Sequence, residues 1–431
     1  MLHLPALPTT DTVTRAAVVE GYNTNTYQAQ DDVSRPVIQR HPSPFTGADA
    51  ALEVRFTGRD TDRTSINIGV RANHYEPLNG EHESDDGACN LAVATYGTLG
   101  PRTLISATDS GSVTSFNAAH VTDGTIFAFD PTQTRSTYWI NDLSVTIRHQ
   151  LSATWRLNQS VGGMVSGTLH SAPTQLAGGQ LVEHRGLDYV TPYVQSDLDK
   201  DFTERASGDL MLRYQYSYQL FVLDFTQKPP RNIGPDKQAF LTMLAGYTYH
   251  FSPELSAVLR VGSELASAPP RDVDQRPILS PAGQGELYYA RPFFELIANA
   301  GYTWGTVNPR LGAGPNTTAS LLVTGIPRHV GSWQNLALVA RAQASYASLV
   351  TGVGQATTLG LYAGGIEARY GVSRWLGLLA GYDVRYATFS TPAYTPPFFQ
   401  QVFFLGLSGY WATDRTQLPL TTFAAPVQPP T

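Results

Sequence analysis

Apolar residues recur at every second position through most of the chain, the period of a strand that turns one oily and one polar face to different surroundings. After Trp333, Leu336, Leu338, Ala340, Ala342, Ala344 and Tyr346 fall on one face, and Asn335, Arg341, Gln343 and Ser345 on the other. Leu210, Leu212, Tyr214, Tyr216, Tyr218 and Leu220 alternate in the same way with Asp209, Arg213, Gln215, Ser217 and Gln219. Ala239 to Tyr249 and Leu376 to Tyr386 repeat the pattern. Segmented on this period, the chain predicts strands at 12–25, 48–59, 64–75, 89–99, 102–115, 136–151, 155–169, 186–198, 202–225, 237–251, 254–267, 283–290, 293–305, 317–325, 333–349, 357–370, 374–389 and 400–412.

The connections sort by length. Short ones fall at 60–63, 100–101, 152–154, 199–201, 252–253, 291–292 and 371–373, with 326–332 a little longer. They alternate with mostly longer ones at 26–47, 76–88, 116–135, 170–185, 226–236, 268–282, 306–316, 350–356 and 390–399. Short turns on one side, long loops on the other and an even strand number are the signature of a bacterial outer-membrane barrel. Closure has a physical cause, because a strand in hydrocarbon cannot leave an edge of unpaired N–H and C=O groups. The expected fold is therefore all-β: a transmembrane antiparallel up-and-down β-barrel of about 18 strands, with 16 possible. The expected organisation is an N-terminal periplasmic segment at 1–11, one barrel at 12–412 and a Pro-rich periplasmic tail at 413–431.

Composition narrows the alternatives. Only 15% of the 431 residues are charged, yet a mean hydropathy of -0.18 is too polar for a bundle of membrane helices. The two longest uncharged stretches, Ala342 to Ile366 and Phe389 to Thr413, have the length of a spanning helix but are interrupted by polar residues and glycine in one and by Pro392, Pro396 and Pro397 in the other. The 22 Tyr, 18 Phe and 6 Trp exclude a disordered chain, and a formal charge of -6 argues against a nucleic-acid partner. One cysteine, Cys89, excludes an internal disulfide framework. Met1 to Pro5 lacks a basic start and an apolar stretch, so a secretory signal is expected to have been removed or to lie outside the chain.

With the oily face on lipid, the polar face lines a lumen. The expected lumen set is Arg55, Arg71, Arg148, Arg213, Arg260, Glu264, Glu295, Arg341, Glu367, Arg369, Asp383 and Arg385, accompanied by Glu53 and Arg156. Opposite charges two apart, Glu53 with Arg55, Glu367 with Arg369 and Asp383 with Arg385, either stiffen the wall or leave a cation-biased lumen that attracts anions or sugars. On this reading Leu338→Arg or Leu212→Arg costs ~2–4 kcal/mol, and Arg341→Gln is mild. Trp139, Trp155, Trp304, Trp333, Trp375 and Trp411 lie near expected strand ends, as an interfacial aromatic girdle requires.

Other chemistry is weak. Glu81, Glu83, Asp85 and Asp86 could hold a divalent cation but lack the spacing of a calcium loop. No other metal site and no cofactor is expected. His250 and Ser252 could meet on one face, but no acid that would orient them is evident, so the protein is not expected to be an enzyme.

Val19-Glu20-Gly21-Tyr22-Asn23-Thr24-Asn25, followed by His41-Pro42-Ser43-Pro44-Phe45, resembles the opening of bacterial outer-membrane β-barrel porin-like proteins and is most similar to myxobacterial ones. The resemblance implies an outer-membrane location in a Gram-negative bacterium and a role in exopolysaccharide secretion beside a periplasm-facing export protein. It also implies outer-membrane lipid and lipopolysaccharide as surroundings. A solute-diffusion porin for small anions or sugars, and a non-conducting structural or adhesive barrel, are the alternatives.

Overall fold

The structure is a computed structural model that describes residues 9–24, 42–57, 63–75, 86–115, 136–171, 174–175, 181–182, 185–220, 223–224, 231–232, 235–267, 277–308, 312–325, 336–350, 356–373, 375–390 and 398–412. The eighteen wall strands are β1 (Thr9–Asn23), β2 (Ser43–Thr57), β3 (Arg63–Tyr75), β4 (Asp86–Gly100), β5 (Thr103–Ser115), β6 (Ser136–Gln150), β7 (Trp155–Ser171), β8 (Gly186–Asp201) and β9 (Ala206–Gln219), continuing with β10 (Asp236–His250), β11 (Leu255–Ala266), β12 (Ile278–Arg291), β13 (Phe294–Asn308), β14 (Gly312–Gly325), β15 (Leu336–Val350), β16 (Ala356–Gly371), β17 (Leu376–Ser390) and β18 (Phe398–Ala412). Each pairs antiparallel with its neighbours in the chain, and β1 pairs with β18 from Val13↔Ala412 to Asn23↔Val402. The sheet is thus a closed 18-stranded up-and-down barrel. The seam is clasped at the long-loop end, where the Gln400 amide donates to Asn23 Oδ1 at 3.1 Å and the Gln401 N–H to Thr24 Oγ1 at 2.9 Å.

The two faces divide as the alternation requires. Leu210, Leu212, Tyr214, Leu338, Tyr346, Leu378, Leu405 and Leu407 stand exposed on the outer rows, whereas Glu53, Glu264, Glu367, Arg369 and Asp383 are buried among the inner ones. An apolar outside wrapped around a charged inside is the reverse of a water-soluble barrel.

Four short connections share one construction. In Leu151–Ser152, Phe202–Thr203, Phe251–Ser252 and Val372–Ser373, the apolar residue's N–H donates to the carbonyl four residues on, and the hydroxyl accepts N–H groups of the same turn. Each hydroxyl satisfies N–H groups that a tight turn would otherwise leave open. The apolar residue stays exposed, Phe202 and Phe251 at 55% each, at the level of Trp155, Trp375 and Trp411. Ser252 in addition donates to Glu254 at 2.7 Å, which holds that exposed carboxyl below its ordinary range. This hydroxyl is part of a turn, with no role toward His250 visible in it.

Strand edges differ from the sequence reading where proline misled it. β2, β12 and β14 begin at Ser43, Ile278 and Gly312, earlier than expected, and the added residues include Pro44, Pro281 and Pro315. In an antiparallel ladder a residue bonds only one neighbour, so a missing N–H removes one bond and the strand continues. The segment 202–225 separates into the turn at 202–205, β9, and Leu223–Asp224, which pairs with Arg231–Asn232 outside the wall sheet. The connection expected at 306–316 shrinks to 309–311.

Candidate functional site in the lumen

The inner rows carry charge on two facing arcs. One arc runs from β15 through β18 and β1 to β3. There Arg341 Nη2 donates to Asp383 at 2.8 Å and Nη1 lies 3.9 Å from Glu367, Arg369 bonds Glu367, Arg55 bonds Glu53, Arg15 lies 3.7 Å from Glu53, and Arg71 lies 3.9 Å from Asp49. Arg385 shares the inner row with Asp383. The second arc runs from β6 to β12. It holds Arg148 on Asn158 at 2.9 Å, Arg156 on Asp201 at 2.7 Å and Arg260 on Asp209 at 2.8 Å, with Glu286 4.0 Å away. In a ring of eighteen, β18 and β9 stand opposite each other, so the arcs face across the lumen. Glu295 lies on β13, in register with Ala290 and Thr324.

One close ion pair in each arc skips a strand. Arg341, Gly365 and Asp383 are consecutive partners across β15, β16 and β17, and Asp209, Gly246 and Arg260 are consecutive partners across β9, β10 and β11. A Cβ on Gly365 would collide with Asp383 Oδ1, and one on Gly246 with Asp209 Oδ1. Glycine is required at both places so that the ion pair can close over the middle strand.

A third rung has no such saddle. Arg213, Thr242 and Glu264 are consecutive partners across β9, β10 and β11. With Thr242 in the middle, the Arg213 guanidinium lies on the Tyr193 ring at 4.3 Å, and the Arg213 Nε is buried with no hydrogen-bond partner among the described residues. Glu264, 3% exposed, accepts the backbone N–H of Trp304 at 2.8 Å.

That last bond crosses β12 and marks a departure from the wall. β12 pairs with β13 only from Arg291↔Phe294 to Gly283↔Tyr302, and β14 pairs with β15 only from Gly325↔Leu338 to Asn316↔Ala347. β13 and β14 nevertheless stay paired with each other to Asn308↔Gly312. Beyond Tyr302 the hairpin therefore leaves both neighbours. Trp304 is buried against Phe240, Ala266 and Ile278, which belong to the inner rows of β10, β11 and β12. Beyond Gly283 and Tyr302 the hairpin end bends inward at the long-loop side; Pro281 has no N–H to offer there, and Glu264 accepts the Trp304 N–H in place of a β12 carbonyl.

Trp304 is accordingly corrected from girdle to lumen anchor. Trp139, Trp155 and Trp411 lie on outer rows near strand ends and Trp375 in a short turn, with Lys200 over the Trp155 ring at 4.8 Å. Trp333, Glu81, Glu83 and Asp85, and the side chain of Asp86, lie outside the described residues. The sequence set missed Arg15, Asp49, Tyr193, Asp197, Asp199, Asp201 and Glu286. Strict period-2 counting along 197–201 would have found the acids of β8, since Asp197, Asp199 and Asp201 alternate with Leu198 and Lys200. The rim between β4, β5, β6 and β7 adds a cleft of about 310 Å³ lined by Arg102, Arg148, Gln150 and Arg156.

No family model matches the chain, and no curated protein matches it in sequence. Solved structures do match over most of its length. The siderophore receptor PirA from Acinetobacter baumannii is 7% identical, with 93% of this chain and 80% of that chain covered and a TM-score of 0.43. OccAB3 from Acinetobacter baumannii is 8% identical, covering 94% and 99% with a TM-score of 0.42. The outer membrane protein OpdK from Pseudomonas aeruginosa is 8% identical, covering 93% and 99% with a TM-score of 0.40. The barrel fold of this chain rests on its own closed eighteen-strand register.

Proposed function

We propose that the protein is a passive channel for small hydrophilic solutes across the outer membrane of a Gram-negative bacterium, with no enzymatic step. The observation that carries this reading is the charged and polar inner row, present on strand after strand of a closed barrel whose outer row is apolar. A barrel of this strand number encloses an aqueous lumen. The arginines expected to make the lumen cationic face Asp197, Asp199, Asp201, Asp209, Glu264 and Glu286 on their own arc, so weak ion preference fits better than strong anion selection. The hairpin end that bends into the lumen suits small solutes better than a polymer.

Exopolysaccharide export beside a periplasmic partner is the second reading, favoured by the opening motif at Val19 to Asn25 and His41 to Phe45. It requires the hairpin to swing aside or the remaining bore to pass a sugar chain. Purified barrel in planar bilayers and in sugar-loaded vesicles tests the proposal. Stepwise conductance with low ion selectivity and vesicle swelling with monosaccharides are expected. A barrel that conducts nothing would remove the diffusion reading. Loss of surface polysaccharide on gene deletion, with small-solute uptake unchanged, would favour export.

A further inference from the structure

The outer row of β5 contains a charge where lipid is expected. Residues directly opposite one another share a face, and Asp109 is opposite Val93 on β4 and Leu143 on β6, whose side chain is 49% exposed on the outer surface. Val113, on the same row, is opposite Trp139 at the long-loop end, and Thr103 is opposite His149 at the short-turn end. Asp109 is the middle residue of β5, well inside those limits. The other charged residues on outer rows of the described strands, Glu20, Lys200, Lys237 and Arg291, all lie near strand ends, where water or headgroups reach them.

Asp109 accepts a hydrogen bond from the Asn141 amide at 2.8 Å, and Asn141 belongs to the same outer row of β6. The pair leaves one Asp109 oxygen, the second Asn141 N–H and the Asn141 carbonyl oxygen without a partner among the described residues. Hydrocarbon offers none of them a bond, and a polar group in lipid ordinarily faces protein or a water-filled cavity. Around the pair the surface is low, with Ala107 and Gly111 on β5 and Gly163 opposite Leu143. A second backbone can therefore come close.

We infer that this barrel pairs with a second copy of itself through the outer faces of β5 and β6, centred on Asp109 and Asn141. The occupant follows from complementarity, because the pair offers both a donor and acceptors. A copy related by a two-fold axis along the membrane normal presents the same set, so each Asn141 amide meets the other copy's free acceptor. Two crossed amide–carboxylate bonds then satisfy the groups that lipid cannot. The inference rests on the membrane-spanning reading and is independent of what the lumen carries.

The test uses the full chain in lipid nanodiscs, with mass read by mass photometry and folding read by the heat-dependent gel shift of the barrel. Wild type is expected at twice the mass of one barrel. Asp109→Leu is expected at the mass of one, folded and with single-channel conductance unchanged. Ala107→Cys in a Cys89→Ser background, oxidised in native membranes, is expected to give a disulfide-linked dimer without altering Asp109. Should Asp109→Leu fail to fold, this cross-link decides alone. Wild type at single-barrel mass, or Asp109→Leu at double mass with greater urea resistance, overturns the pairing. So does the absence of the cross-link. A single conducting barrel would sink the pairing while leaving the channel reading standing, whereas a paired but non-conducting one would do the opposite.

Discussion

Two stretches of the inner wall use the same charges to different ends. On β15 to β17, Gly365 lets Arg341 reach Asp383, and Glu367 closes the group from the side, so the charges are spent on the wall. On β9 to β11, the rung of Arg213, Thr242 and Glu264 has a threonine in the middle, and the same pair of charges stays apart. Arg213 turns to the face of Tyr193, and Glu264 takes the Trp304 N–H and holds the inturned hairpin. One methyl-bearing carbon on the strand between decides whether an arginine and an acid stiffen the barrel or shape its bore. The neighbouring rung of Asp209, Gly246 and Arg260 shows that the distinction is local, since it lies on the same three strands.

The sharpest way to break this comparison is to remove one arginine from each kind of rung. Arg341→Gln removes the arginine that bonds Asp383, 4% exposed at its side chain, and takes one of two cations from Glu367, 9% exposed, which keeps Arg369. It is expected to cost about 3 kcal/mol, the low end for breaking a buried pair, because the lumen admits water. Urea unfolding of vesicle-embedded protein measures it. The sequence alone suggested a mild effect, and the two buried carboxylates are the reason for the revision. Gly365→Ala and Gly246→Ala come next, at about 2 kcal/mol each, since a Cβ there must displace a carboxylate oxygen. An alanine tolerated without loss at either position would show that the saddle is unnecessary.

A smaller effect is expected at the open rung. Glu264→Gln keeps an acceptor for Trp304 but exchanges a charged hydrogen bond for a neutral one, a loss of about 1 kcal/mol. Its more telling readout is single-channel conductance, which should rise or become noisier as the hairpin loosens. Thr242→Gly sharpens the contrast further. It should let Arg213 meet Glu264, release Trp304 and raise conductance, at a loss of about 1 kcal/mol for the hydrogen bond between Thr242 and Glu264. Arg213→Gln is also expected to be mild, at about 0.5–1 kcal/mol, because it gives up the contact with the Tyr193 ring but no ion pair among the described residues. It should still shift ion preference toward cations at low salt, an effect that fades near 1 M, where screening reaches about 3 Å. Equal stability losses for Arg213→Gln and Arg341→Gln would erase the difference between the rungs.

The period-2 alternation by itself determined the fold class, a strand number of 16 to 18 and the assignment of faces for residues such as Leu212, Leu338, Arg213 and Arg341, and the closed register then set the number at 18. Alternation could do so because a side chain's face depends only on parity within its own strand. Short and long connections were legible for the same local reason, and the recurring pair of an apolar residue with Ser or Thr at 151, 202, 251 and 372 was there to be read. Which charges meet was not. Arg341 and Asp383 stand 42 residues apart, and Arg260 and Asp209 51 apart, joined over glycines on a third strand. That meeting depends on register among three strands, which no single segment encodes. Trp304 shows the limit most plainly. Its position near a strand end marked it for the membrane interface, and only the loss of pairing beyond Tyr302, felt on both sides of one hairpin, turned it into the lumen. Asp109 is the converse case. Its place on an outer row follows from parity with Leu143, but the Asn141 beside it and the empty acceptor it keeps came from the closed barrel, which alone sets β5 against β6.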